Sequence, residues 1–498
     1  MEKCLMSLPW LMCNEGKVRI SQELSEGEKH GTTHRKTTVK KCLDNFGISC
    51  NEDEVPHIAI LGSGGGLRAM IALQGTLGEL QNHGLLDSVM YLCGVSGSTW
   101  CMSSLYKQPD WSDKLLSLEE RMCEMLLSKW SFSNAKMMLE EASKEKNYSL
   151  TDFWSYIVVH WMLHELDKGS LSDQRAASEN GKNPYPIYAA VDEKSFSKLA
   201  ENSADTWFEF TPHEASFLGH RASVDIKYFG SEFEGGVVKT KKQEMNMSYY
   251  RGLWGSCIGS KEENIKFIKE MLSPYLTELS GSPSTHHEGQ YNTQAFFPTE
   301  SIMNISRIIH KTNKCLLRWK WGSINNFLYK FSGINSAELM EDKIISLIDA
   351  GVAINCAYPL ILRPERKVKL ILSFDYSSGD PFKTLKQAVE YCRQNSIPFP
   401  EVDEKLLREE NNPSDVYIFR GENAPTVMHF PLFNKVNVPG HVTDSRSEFK
   451  SVRCTYNKED FSKLLQAAKL NVSNNKDNIL KEIRHIMDSS NRKNLYSL

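Results

Sequence analysis

The chain has no long hydrophobic run. The uncharged segment that comes nearest to one, Ser88 to Tyr106, is broken by Gly94, Ser96, Gly97, Ser98 and Ser103, which makes it a strand, turn and helix of a globular core and excludes a spanning helix. It also has no excess charge of either sign. Lys plus Arg number 59 against 62 Asp plus Glu in 498 residues, a formal net charge of -3. That balance argues against a protein that wraps nucleic acid, although a local patch can still meet a lipid surface. Its 12 cysteines include no CxxC pair and none at metal-ligand spacing from clustered histidines, so a zinc module and a disulfide scaffold are disfavoured and reduced thiols in a cytosolic setting are expected. A basic leader is missing too, because Glu2 stands beside Lys3 ahead of the apolar stretch that ends at Cys13, and no signal peptide is expected. Residue 2 is Glu where myristoylation needs Gly, and Leu495 stands where prenylation needs Cys, so neither lipid anchor is expected.

What the sequence does have is an apolar core organised around two glycine-rich turns. Residues 14 to 53 are polar and locally basic, with Lys17, Arg19, Lys29, Arg35, Lys36, Lys40 and Lys41. They read as a loose arm or a peripheral helix, and a solvated, partly ordered tail is the simpler expectation. After Pro56 the text changes: His57 to Leu61 is a short apolar run that predicts a buried strand, GSGGGLR follows from Gly62 to Arg68, and Met70, Leu73, Leu77 and Leu80 then recur at helical spacing. A second unit repeats the pattern, with a strand predicted over Val89 to Cys93, a tight turn over Gly94 to Ser98 and a helix from Thr99 to Tyr106. Two such units indicate an α/β sheet with its chemistry at the strand ends.

Residues 111 to 168 carry interleaved charged and apolar residues that predict helices packed on, or capping, the sheet. Further strands are predicted over 185 to 191, 206 to 211, 224 to 228, 344 to 348, 368 to 374, 416 to 419 and 427 to 430. Residues 276 to 292 are polar and rich in Gly and Ser, the composition of a loop or lid edge. Residues 456 to 489 show two helical patterns separated at Asn471 to Asn475.

Ser96 is the sharpest chemical candidate. A serine between small residues after an apolar strand can sit on a strained strand-to-helix turn with its oxygen near a helix N-terminus. Its pattern departs from G-x-S-x-G at the last position, where Ser98 stands, and such a short turn alone leaves a structural role level with catalysis. The run Gly62 to Gly66 shifts that balance, because consecutive N–H groups without side chains can converge on an oxyanion. Nucleotide binding is the rival reading; Leu67 stands where a third dinucleotide glycine belongs, and no Gly-Lys-Ser/Thr completes a phosphate loop. Arg68 can meet a phosphate bidentately or lie in a surface ion pair. Asp349, at the end of a predicted strand, can serve as a base or cap a turn. Of 14 histidines, His429 is the best placed for a Ser-His-Asp arrangement, though a lone histidine there is more often structural.

The ordered combination GSGGGLRAM (Gly62 to Met70), GVSGSTW (Gly94 to Trp100), LIDAGVAINCAYPLILRP (Leu347 to Pro364) and LILSFDYSSGDPF (Leu370 to Phe382) resembles the catalytic domain of the group IV cytosolic phospholipases A2, and within it the gamma branch. WFEFTPHEA from Trp207, RGLWGS from Arg251 and VMHFPLFN from Val427 add to the likeness. The resemblance implies a patatin-like three-layer α/β core with a central, mostly parallel sheet, helical cap insertions and C-terminal helices. It implies Ser96 as nucleophile with Asp349 as its partner, Gly65 and Gly66 as oxyanion donors, and Arg68 as the residue that meets the headgroup phosphate; no histidine is then required.

The implied activity is phospholipase A2, with lysophospholipase activity alongside, acting on glycerophospholipids and lysophospholipids at membrane surfaces, without cofactor, catalytic metal or obligate protein partner. A lysophospholipase or transacylase, and a catalytically silent lipid-binding module, are the alternatives. With 61 residues ahead of Gly62, the expected organisation is an N-terminal region (1–53) without a C2 domain and a catalytic domain (54–498), hence calcium independence. The gamma branch carries a prenylation box, and the ending Asn494 to Leu498 departs from it. The expected location is the cytoplasm, with peripheral contact to intracellular membranes through apolar lid residues or the basic arm.

Overall fold

Six strands organise the molecule: β1 (His57–Gly62), β2 (Tyr91–Gly94), β3 (Tyr185–Asp192), β4 (Ile344–Asp349), β5 (Val368–Asp375) and β6 (Thr426–Pro431). Their near-continuous apolar sequences suit strands covered on both faces, and every residue from Ile58 to Gly62 and from Tyr185 to Asp192 is buried. The computed structural model describes residues 16–257, 260–280 and 299–496. In it β3, β2, β1, β5 and β6 lie side by side in that order and all parallel, which is the expected parallel core. The flanks are antiparallel: Trp207–Phe210, Glu214–Phe217, Ala222–Asp225 and Arg19–Ile20 extend the sheet beyond β3, and Tyr417–Phe419 closes it beyond β6.

One register relation decides where the chemistry sits. On one edge of β3, Gly94 of β2 pairs with Tyr188 in parallel, while Asp349 of β4 pairs with Ala190 in antiparallel sense. The opposite edge is filled by Trp207–Phe210, which pairs with the same residues. So β2 and β4 share a single edge of β3 and run toward each other, and their carboxyl ends meet two residues apart along that edge.

Helix α1 (Glu26–Asn45) corrects the expectation of a loose N-terminal arm. Arg35 is buried and donates to the carbonyls of Val89 and Leu86. Glu28 pairs with Arg366, itself paired with Glu209. Four more cations of this region are paired: Arg19 with Glu214, Lys29 with Glu26, Lys36 with Asp53 and Lys40 with Asp44. The pairs Glu28–Arg366 and Arg19–Glu214 therefore bind this region to the sheet.

Helix α2 (Leu67–Asn82) follows the glycine loop and α3 (Gly97–Leu105) follows Ser96. Both are largely buried, α2 against the C-terminal helix 458–496. Gly75 permits that close crossing, since a Cβ there would lie 2.8 Å from the Leu465 carbonyl oxygen. The C-terminal region is one helix, Lys458–Tyr496, where two were expected. Asn471 and Asn475 face inward and are satisfied: Asn471 donates to the Pro431 carbonyl and accepts from Asn434, and Asn475 donates to Asp415. Asn475 also donates to the Asn471 carbonyl one turn back, at 3.0 Å, so the side chains are satisfied without interrupting the helix.

Helices at Leu115–Leu127, Phe132–Ala142 and Lys261–Ser280 form the expected insertions. The last of these makes residues 276 to 280 helical where a loop was expected; the rest of that segment, like Met1 to Cys13, lies outside the described residues.

Candidate active site

Val95 and Ser96 connect β2 to α3 in a turn too tight for an ordinary link. Ser96 has φ +51° and ψ -122°, a conformation costly for a residue with a Cβ and found where surrounding structure enforces it. The enforcement is visible in its neighbours. Val95 N–H donates to the Gly62 carbonyl at 3.1 Å, Thr99 Oγ1 donates to the Ser96 carbonyl, and Ser98 Oγ donates to the Ser63 carbonyl at 2.7 Å. Ser98, which breaks the G-x-S-x-G pattern, packs over Gly62, whose Cβ would stand 2.7 Å from its hydroxyl. Gly97 comes close to the glycine loop, for a Cβ there would fall 1.9 Å from the Gly66 carbonyl oxygen.

The glycine loop consequently lies directly over Ser96. A Cβ on Gly64 would be 2.9 Å from the Ser96 Cβ. Gly64 is anchored from both sides, its N–H donating to the Asn355 carbonyl at 3.1 Å and its carbonyl accepting Asn355 Nδ2 at 3.2 Å. Gly65 and Gly66 have φ +153° and +59°, and their N–H groups meet no acceptor among the described residues. Two unengaged amides at the start of a helix, beside a serine hydroxyl, form the donor set that a developing oxyanion needs.

Asp349 arrives from the opposite direction at the end of β4 and is fully buried, at 0% exposure. The Ser96 side chain is near enough to favour the ionised form of its carboxyl. Oδ1 accepts the Gly351 N–H at 2.8 Å and Oδ2 the Cys257 N–H at 3.3 Å. Burial pushes this carboxyl up to about 7, against the two amide donors and the nearby Ser96 side chain, which favour its ionised form. The Asp349 N–H is held by Ser256 Oγ at 3.0 Å. Ser256 and Cys257 follow the helix Met247–Trp254, which is pinned by Trp100 Nε1 donating to the Arg251 carbonyl and Trp154 Nε1 to the Gly255 carbonyl, both at 2.8 Å.

These supporting residues were not singled out as candidates from sequence. Ser256 closes the RGLWGS stretch and Asn355 lies in the LIDAGVAINC stretch, but their work is done through backbone groups or toward backbone groups, which leave no signature of residue type.

Two other candidates fall differently. His429 lies on β6, three strands from β2, about 14 Å at ordinary strand spacing, with Nε2 at 2.8 Å from the Pro381 carbonyl and its imidazole held toward the neutral form by burial. It is a core residue of the far side of the sheet. Arg68 stands beside the glycine loop, as expected of a residue near the reacting centre, but its guanidinium is occupied by protein: Nε–H donates to the Tyr376 carbonyl at 2.5 Å, Nη1–H to the Phe449 carbonyl and Nη2–H to Ser451 Oγ at 3.0 Å. Among the described residues no group of three or more His, Cys, Asp or Glu side chains could hold a metal ion, and no helix is long and apolar enough to cross a membrane.

Comparison with known proteins shows what the chain is similar to. A family model described as the lysophospholipase catalytic domain matches residues 58–394. The chain is 37% identical to human cytosolic phospholipase A2 gamma, over 94% of this chain and 96% of that protein. It is 33% identical to mouse cytosolic phospholipase A2 zeta, over 95% of this chain and 62% of the relative. Among solved structures, human GIVD cytosolic phospholipase A2 superposes with a TM-score of 0.74 at 27% identity, covering 96% of this chain and 69% of that one. The same protein bound to methyl gamma-linolenyl fluorophosphonate gives 0.71 at 28% identity, covering 96% and 66%.

Proposed function

The chain belongs to the cytosolic phospholipase A2 family of hydrolytic phospholipases and lysophospholipases, and from that premise we propose that it cleaves the sn-2 fatty-acyl ester of glycerophospholipids through an acyl-enzyme on Ser96. The observation that carries this reading is Ser96, on a φ +51° turn beneath the glycine loop, set beside the buried carboxyl of Asp349 by the strands that meet along one edge of β3.

Ionised Asp349 takes the proton of Ser96 as Oγ attacks the ester carbonyl. The N–H groups of Gly65 and Gly66 hold the tetrahedral oxyanion; one such donor is typically worth about 2.7–4 kcal/mol. Collapse breaks the ester C–O bond, and the proton on Asp349 passes to the departing oxygen, releasing lysophospholipid. Water then attacks the acyl-serine, with Asp349 again accepting the proton; the Ser96 Oγ–acyl bond breaks, that proton returns to Oγ, and fatty acid leaves. Asp349 both orients and deprotonates, so no histidine is needed. None of these steps requires calcium, and the proposed activity is calcium-independent.

In this reading residues 54–498 form the catalytic unit, and the described part of the N-terminal region, 16–53, braces it. Contact with lipid is peripheral, from the cytoplasmic side, and is supported by the exposed apolar side chains of Leu317 and Met303 on the helix Thr299–Arg318. A second reading, mainly a lysophospholipase, draws on the description of the matching family model; the same acyl-enzyme serves it, and transfer of the acyl group to a lysophospholipid hydroxyl would make it a transacylase. Labelling with a long-chain fluorophosphonate, followed by peptide mass mapping, tests the common core. The expected result is one adduct, on Ser96, absent from Ser96→Ala; an adduct on another residue, or none, contradicts it.

A further inference from the structure

Asn355 is half-buried on the segment that follows Asp349, and the two ends of its amide face different neighbours. Nδ2 donates to the Gly64 carbonyl at 3.2 Å and to Ser377 Oγ at 3.3 Å. A carbonyl oxygen can only accept, so the amide nitrogen belongs on that side and Oδ1 points the other way. Oδ1 accepts from no group among the described residues. Two glycines mark where it stands. A Cβ on Gly64 would fall 2.4 Å from Asn355 Oδ1 and 2.9 Å from Ser96 Cβ, and a Cβ on Gly351 would fall 3.1 Å from Asn355 Oδ1 and 3.1 Å from Asp349 Oδ1. Neither glycine has a positive φ, so what glycine supplies at these two positions is space. An unengaged amide oxygen therefore stands next to both the serine and the acid, with no side chain from either glycine between them.

We infer that Asn355 Oδ1 holds the water that hydrolyses the acyl-serine, a role that deepens the acyl-enzyme reading given above and rests on it. Ser96 brings one O–H to the first step, and its proton goes to Asp349. Water brings two, and a water held in place needs at least two polar partners. One proton passes to Asp349 as the water oxygen bonds the acyl carbon; the other O–H needs an acceptor that fixes the water's orientation and leaves the proton where it is. An amide oxygen does this, because it accepts a hydrogen bond and does not titrate. When the Ser96 Oγ–acyl bond breaks, the proton on Asp349 returns to Oγ, and the O–H held by Asn355 leaves as part of the fatty acid. An alcohol that attacks the same acyl-serine has carbon in place of that second hydrogen, so it makes no use of Asn355 Oδ1. Hydrolysis and acyl transfer thus differ in this one contact, whereas the anchoring of Gly64 through Nδ2 serves both.

The test is a partition experiment with the full-length chain on vesicles of phosphatidylcholine labelled in its sn-2 acyl chain, with glycerol as the competing acceptor. The ratio of acylglycerol to free fatty acid reports the fate of one shared intermediate and does not depend on how fast that intermediate forms. Asn355→Ala is expected to raise this ratio about threefold to tenfold, the worth of one hydrogen bond, whatever happens to total turnover. An unchanged or lowered ratio overturns the inference and leaves Asn355 as an anchor of Gly64 alone, because a displaced glycine loop slows both acceptors together. Should Asn355→Ala fail to fold, Asn355→Ser decides, since it keeps a small polar side chain and removes the amide oxygen; the same rise supports the inference, and a constant ratio overturns it. A wild type that releases fatty acid yet takes no fluorophosphonate label at Ser96 overturns the acyl-enzyme reading itself, and this role with it. A labelled wild type whose ratio is matched by both variants overturns this role only.

Discussion

Ser96 and Asp349 are brought together by two strands that end head-on along one edge of β3, Gly94 opposite Tyr188 and Asp349 opposite Ala190. Sheet register thus fixes the meeting of the two side chains more firmly than any loop contact could. Both residues are held further by backbone groups: Ser96 by the Gly62 and Ser63 carbonyls through its neighbours, and Asp349 by the amides of Gly351 and Cys257. A serine placed against a buried acid by a sheet edge is suited to a two-residue device.

The elevated Asp349 carboxyl makes the pH profile informative. With burial pushing it up to about 7, the acid is protonated below that pH and cannot accept the Ser96 proton; above it the base is available. Acyl-release kcat/KM is therefore expected to rise about tenfold per unit between pH 5 and 7 and to level off above. A profile flat from pH 5 to 9, or a limb near the ordinary carboxylate value, would remove Asp349 as the titrating base.

Gly97 is the position where the turn tolerates least. A Cβ there would lie 1.9 Å from the Gly66 carbonyl oxygen and 2.9 Å from its nitrogen, and both are backbone atoms with little room to yield. Gly97→Ala is expected to cost roughly 3 kcal/mol, the upper end of overpacking, and to depress acyl release strongly by displacing the glycine loop. Gly379→Ala, with nothing within 4 Å, should stay within about 0.5 kcal/mol of wild type. Chemical denaturation of the two variants makes the comparison, and equal midpoints would contradict it.

Arg366 ties α1 to the sheet through buried Glu28, at 2.8 and 3.1 Å, and Glu209, at 2.9 Å. Arg366→Met leaves Glu28 without its cation and should destabilise by about 3–5 kcal/mol. The double variant Glu28→Leu, Arg366→Met should recover most of that, because Glu209 keeps Arg363 at 2.6 Å. Urea midpoints for the three chains are the readout, and no recovery in the double variant would mean that the network does more than neutralise itself.

The parts of this architecture that were legible in the sequence are those written locally. Apolar runs such as His57 to Leu61 and 185 to 191 match strands β1 and β3, and the two glycine turns lie at the strand ends where expected. What escaped depends on distant partners. The shared edge of β3 joins residues some 250 positions apart and has no local pattern. Ser256, Cys257 and Asn355 act with backbone groups, so residue type alone does not mark them. Asn471 and Asn475 look like a break, and only their inward partners, the Pro431 carbonyl and Asp415, explain one continuous helix. Likewise the basic N-terminal stretch looks solvated until Glu28 and Arg35 are seen to be buried.

The most direct test of the central claim is product-resolved acyl release from mixed phospholipid vesicles in the presence of a calcium chelator, comparing wild type with Ser96→Ala and Asp349→Asn. The account predicts release of the sn-2 fatty acid by wild type, none above background by Ser96→Ala, and a loss on the order of 10²–10⁴-fold in Asp349→Asn. Release that persists in Ser96→Ala would contradict it.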